Sequence, residues 1–281
     1  RIPFVFDFQG SLTGEMLDHR FLRRDSVFYG PLRRLEVAID RLSPFILTSS
    51  HNGRDLLLRE FGCRPERVFA LPDCVDAEAF YPAGADEGPA LAQRKAQLGI
   101  PQDRKVVVYL GLLADYQGTD ALLEAAARLV RRRGDVHFLI MGFPNVDRYR
   151  HQAAQLNVID HVTFTGRVPY HQARDLLAVG DVAAAPKLSA TEGSGKILNY
   201  MAMGLPVVAF ETPVSREYLA DQGIYATPAD PASLADALGL ALGDSANGHR
   251  RKALRLRALQ AYSWDCAAET ILQAYRSVCA P

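Results

Sequence analysis

The sequence lacks a net charge: 32 Lys and Arg are balanced by 32 Asp and Glu in 281 residues. No global field therefore draws it to nucleic acid, whose phosphates demand a basic face. Its four cysteines, Cys63, Cys74, Cys266 and Cys279, include no CxxC spacing, and scattered thiols in a chain of this length suit a reducing compartment. No apolar run approaches the roughly twenty residues of a membrane-spanning helix. With no basic-then-apolar leader either, the expected location is the cytoplasm. No GxGxxG follows a strand-like run, which argues against a dinucleotide oxidoreductase, and there are no repeats or low-complexity tracts. What remains is an ordinary globular composition, 48% apolar, enough for one large or two modest cores.

Along the chain, short apolar runs alternate with amphipathic stretches. Phe4 to Phe8, Ile46 to Ser50 and Arg67 to Leu71 read as strands, with helices predicted over Pro31 to Leu42 and Ser50 to Phe61. Gln9 to Glu15 reads as a loop, and the turn-rich stretch Tyr81 to Pro89 as a linker. Beyond it, strands are predicted at 106–110, 137–141, 162–165, 182–185, 207–210 and 224–226, separated by helices such as Thr119 to Arg132. This alternation implies an α/β fold with a parallel sheet covered on both faces. The basic group Arg250, Arg251, Lys252, Arg255 and Arg257 reads as a solvated helix face. Its alternative is a peripheral contact with anionic lipid at the inner membrane surface.

The stretch from Ala184 to Phe210 carries the most chemistry. A strand ends near Ala185, a helix runs from Gly195 to Met203, and Gly204 and Pro206 close it before the next strand. The intervening Glu192-Gly193-Ser194-Gly195 sits where an α/β sheet binds phosphorylated ligands, with backbone amides free at a helix start. Lys187 and Lys196 flank it. The plainer reading is an ordinary βα turn, with Glu192 favoured by the helix dipole and Lys196 merely its i,i+4 partner.

Glu192 and the tail Met201-Ala202-Met203-Gly204-Leu205-Pro206-Val207-Val208 resemble the signature of the retaining glycosyltransferases of family four. That resemblance implies a GT-B fold, two Rossmann-like domains with parallel sheets facing across a cleft. It spans nearly the whole chain. Gly111 to Gly118 matches the family's first βα loop of the C-terminal domain, and Pro72-Asp73-Cys74-Val75-Asp76 resembles its Pro-Asn-Gly-Val-Asp. A Ser-Trp pair, here Ser263-Trp264, typically opens a last helix that crosses back to the N-terminal domain. The implied division is 1–82 as a partial acceptor-side domain, 83–258 as the nucleotide-sugar domain and 259–281 as the crossing helix. Because Arg1-Ile2-Pro3 leads straight into a strand, the N-terminal domain is expected to be incomplete.

Carried over by position, Glu192 and Lys196 are the candidate catalytic residues. Gly111, Leu112, Gln117, Lys187, Gly193, Ser194, Gly195, Ile197 and Asn199 would bind the donor, and Gln9, Gly10 and Glu15 would face the acceptor. The implied partners are a nucleotide-sugar donor and a glycan, lipid or small-molecule acceptor. No cofactor is implied, and with no Asp-x-Asp no metal site is expected. The chain departs from the family in four places. Leu112 and Gln117 stand where an Arg and a Lys usually neutralise the diphosphate, Asn199 or Tyr200 replaces the second carboxylate, and Gln9 replaces a His. Gln cannot act as a general acid or base, though it can position a hydroxyl. Two functions therefore stand side by side: a retaining glycosyltransferase in which Lys187 and Lys196 supply the missing charge, and a non-catalytic sugar-nucleotide-binding or regulatory protein of the same fold.

Overall fold

The computed structural model describes residues 4–19, 21–189, 192–244 and 247–279. The first part contains β1 (Phe6–Phe8), α1 (Leu12–Asp18), α2 (Tyr29–Leu42), β2 (Ile46–Thr48), α3 (His51–Arg59) and β3 (Val68–Ala70). The second runs α4 (Gly88–Gln97), β4 (Lys105–Leu110), α5 (Thr119–Arg132), β5 (Val136–Met141), α6 (Val146–Gln155), β6 (Val162–Gly166), α7 (Tyr170–Leu177) and β7 (Val182–Ala185). It continues with α8 (Gly195–Ala202), β8 (Val207–Phe210), α9 (Pro213–Leu219), β9 (Ile224–Ala226), α10 (Pro231–Gly243), α11 (Asn247–Ala261) and α12 (Trp264–Cys279). Among the described residues no helix is long and apolar enough to cross a membrane.

The strands form two parallel sheets, ordered β1-β2-β3 and β6-β5-β4-β7-β8-β9. In the larger sheet alternate residues feed opposite cores. Val106, Val108, Leu139 and Met141 pack with α8 and α11, while Val107, Tyr109, Phe138 and Ile140 pack with α5 and α10. Burial on both faces explains why its strands read as near-continuous apolar runs. The strand order reverses between β4 and β7, so the loops leaving those two strands diverge and open a crevice at their C-terminal ends.

Three expectations are corrected. The stretch Gln9 to Glu15 is not all loop: Ser11 caps α1 by accepting from the Gly14 N–H at 3.1 Å. The end of the expected linker is helical, because Gly88 and Pro89 open α4, where a proline's missing N–H costs nothing. The basic group on α11 is not a solvated face. Arg251 donates to Asp181 O, Arg255 to Ala202 O and Arg257 to Tyr218 O, and Arg250 pairs with Asp244. Lys252 alone of the five is exposed. The polarity of α2 is also unusual, with Glu36 and Asp40 buried and Leu35, Ile39 and Leu42 exposed. Ser11, Thr13 and Arg33 satisfy the Glu36 carboxylate.

Between the two sheets the chain is tied at several points. Arg174 of α7 grips Glu87 and the carbonyls of Tyr81 and Pro82. Glu217 of α9 accepts from the His51 and Asn52 amides at the start of α3. Val75 pairs with Ser263 just before α12, which lies against β3.

Candidate functional site

The loops after β4 and β7 meet residues from the smaller sheet around a cleft of about 490 Å³. Gly111, Leu112 and Gln117 line it from the first loop, and Lys187 and Glu192 to Lys196 from the second. Asn199 of α8, Gln9 after β1 and Asp73 after β3 complete the wall. The first loop reverses tightly enough that Gly118 takes φ 76°, with the Pro186 carbonyl where a Cβ would stand. Gly118→Ala is expected to add about 1–3 kcal/mol of overpacking to a left-handed backbone cost of roughly 1–2 kcal/mol. A thermal melt reads the loss, and an unchanged Tm would contradict this account of the loop.

Charge in the cleft is arranged in two parts. Lys187 is only 7% exposed; its Nζ pairs with Glu192 Oε2 at 2.8 Å and donates to Gly193 O at 2.7 Å. The expected alternative pairing of Glu192 with Lys196 is therefore not what forms. Lys196 instead donates to Gln117 Oε1 at 2.7 Å and the Tyr109 hydroxyl at 3.2 Å, with its Nζ 4.5 Å from the centre of the Tyr109 ring. A Cβ at Gly111 would lie 2.6 Å from that ammonium. Both hydrogen-bond acceptors are neutral. Burial, and then the positive Lys187, pull the Lys196 ammonium down to about 7. A lysine held at a cleft wall by neutral acceptors is chemically ready for an anion.

The glycine loop is less open than its sequence suggests. Burial raises the Asp73 carboxyl above the usual range, opposed chiefly by the positive Lys187. The Tyr218 hydroxyl, which lies 3.2 Å from where a Cβ on Gly193 would stand, donates to Ser49 O at 3.3 Å. Ser194 is 6% exposed, makes no side-chain cap bond to α8, and its Oγ has no partner. A buried hydroxyl without a partner costs about 1–3 kcal/mol until a ligand or water satisfies it.

Most residues singled out in the sequence converge here. Ile197 does not: it is 2% exposed and packs in the core beneath α8, so it is a support and not a donor contact. Gln9 lines the cleft, whereas Gly10 and Glu15 do not. A Cβ at Gly10 would meet the Glu15 carboxylate and lie 3.5 Å from Glu192 Cα. Burial, and then the Glu192 charge, raise the Glu15 carboxyl, and Asp18 responds chiefly to burial. The residues missed as site members are Asp73, Tyr109 and Tyr218. Asp73 stood in a matched motif, but nothing local signalled that it reaches the α8 start.

The sequence profile described as glycosyl transferases group 1 matches residues 92–258. The D-inositol 3-phosphate glycosyltransferase of Frankia alni is 28% identical over 249 residues, covering 84% of this chain and 59% of that protein. The phosphatidyl-myo-inositol mannosyltransferase of Mycobacterium tuberculosis is 29% identical over 215 residues, covering 74% and 53%. The chain thus spans somewhat more than half the length of these curated relatives. Among solved structures, a glycosyltransferase from Rickettsia africae superposes with a TM-score of 0.80 at 16% identity, over 99% of this chain and 71% of that one. Anabaena Alr3699/HepE in complex with UDP gives 0.80 at 19% identity, over 98% and 72%. The fold is accordingly the GT-B arrangement of parallel sheets.

Proposed function

The chain belongs to the glycosyl transferases group 1 family, and from that premise we propose that it transfers a sugar from a nucleoside-diphosphate donor to an acceptor hydroxyl with retention of configuration. The observation that carries this reading is Lys196, an ammonium held at the cleft wall by Gln117 and Tyr109 without a carboxylate partner. It stands beside the Gly111 backbone, where a diphosphate needs a cation and where residues 112 and 117 supply none. Lys187 and the start of α8 add to the positive end. In this reading Glu192 faces the sugar. Stabilising the departing phosphate while the acceptor oxygen attacks the same face needs no protein nucleophile, only placement and charge. In this reading residues 83–258 hold the donor, residues 1–82 present the acceptor past Gln9, and residues 259–281 tie the two together.

The non-catalytic alternative draws support from Leu112, an apolar side chain 42% exposed at the diphosphate end. Incubating the protein with labelled UDP- and GDP-sugars separates the two. Slow release of free sugar is expected even without an acceptor, whereas binding with no release over a broad acceptor panel would establish the binding protein instead.

A further inference from the structure

Asp73 is the one carboxylate in the cleft contributed by the segment that joins the two sheets. Its Oδ2 lies 2.6 Å from where a Cβ on Gly193 would stand and 3.6 Å from the same point on Gly195. At 193 the absence of a Cβ leaves room for it, whereas the distance at 195 is ordinary van der Waals contact. The carboxylate stands beside Gly195, the first of the eight residues of α8. That end of a helix attracts negative charge. A carboxylate of the protein's own thus already sits against the glycine loop.

We propose that Asp73 is a specificity-determining residue: its carboxylate contends with the incoming phosphate for the N-terminal end of α8, and so limits how much negative charge a bound nucleotide can carry. The inference rests on the donor reading above. The other charged or titratable groups around Asp73 are Lys187, Glu192, Tyr218 and the adjacent Cys74 thiol. Lys187 is already engaged by Glu192 and the Gly193 carbonyl, so it neutralises neither carboxylate fully. Burial raises the Asp73 carboxyl, the sign expected of a charge kept in a poorly solvated place beside a like charge. A ligand phosphate brought to the same helix end meets that charge at short range, where repulsion is weakly screened.

Calorimetry with UDP and uridine as probes tests this. Asp73→Asn keeps the shape of the side chain while removing the charge, and it is expected to bind UDP about tenfold tighter than the unaltered protein, with uridine unchanged within about twofold. Asp73→Ala should move in the same direction. Weaker UDP binding, or equal tightening of UDP and uridine, would overturn the proposal and make Asp73 a prop for the loop. So would loss of the folded circular-dichroism spectrum in both variants. If the unaltered protein binds neither UDP nor GDP, the donor reading itself fails, a result distinct from either of these.

Discussion

Lys196→Met is expected to weaken UDP binding by about ten- to a hundredfold while leaving uridine almost untouched, because a charge-assisted hydrogen bond is worth roughly 1.5–3 kcal/mol. The pH profile supplies the signature. With its ammonium lowered to about 7, Lys196 is charged below that pH and increasingly neutral above it. A bound phosphate favours the charged form, so UDP affinity should decline as pH rises above 7, and binding there should draw a proton from the buffer. Both effects should vanish in Lys196→Met. Stability moves in the opposite sense. For a base whose folded-state value lies below its unfolded one, the cost of keeping the charge folded is absent above about 10.5 and complete below about 7. At pH 6 the variant should therefore melt no lower than the parent, although Gln117 loses a partner. The double variant Gln117→Lys/Lys196→Gln returns an ammonium to the loop after β4 and should recover much of the lost UDP affinity. Equal weakening of uridine and UDP would reduce Lys196 to a packing residue.

Glu192→Gln should lower kcat by about a hundredfold or more, the usual consequence of removing a group aimed at developing charge. The structure adds a cost that the sequence hid. Lys187 is almost fully buried, and without the Glu192 carboxylate its ammonium keeps only the Gly193 carbonyl. Glu192 is about one-third exposed on its side chain, so water partly screens the pair. The loss should fall between the surface and buried cases, about 1–3 kcal/mol. Pairing Glu192→Gln with Lys187→Met should restore much of the stability and none of the turnover. If kcat, corrected for the folded fraction, stays at the parental level, Glu192 acts only as the counter-ion of Lys187.

How far the sequence could be read follows from which forces are local. The strand–helix alternation and the two βα loops were legible, because burial on both faces writes itself as apolar runs and a switch-point loop needs glycine. Ile197 shows where position in a motif misleads. Lys196 and Asn199 are three apart and share the cleft side of α8, whereas Ile197, Leu198 and Met201 face the core. Helical period, applied to this short stretch, separates them. Asp73 and the Gln117–Lys196 bond could not be read this way, since they join residues 122 and 79 positions apart in chain. The basic residues of α11 failed for a similar reason: an arginine that caps a distant helix looks, in sequence, like one that faces water.

Those arginines also set an order of events. α8, whose first residues carry the glycine loop, ends in carbonyls that have no partner within the helix. Arg255 satisfies Ala202 O from 53 positions downstream, and Arg251 also reaches Gly204 O. In a chain made from the N-terminus, every residue that lines the cleft exists long before the guanidinium groups that close off its supporting helix. The site is therefore assembled only once synthesis has passed residue 255, and a ribosomal product released before residue 251 would display the charged loop on a helix that nothing yet holds shut.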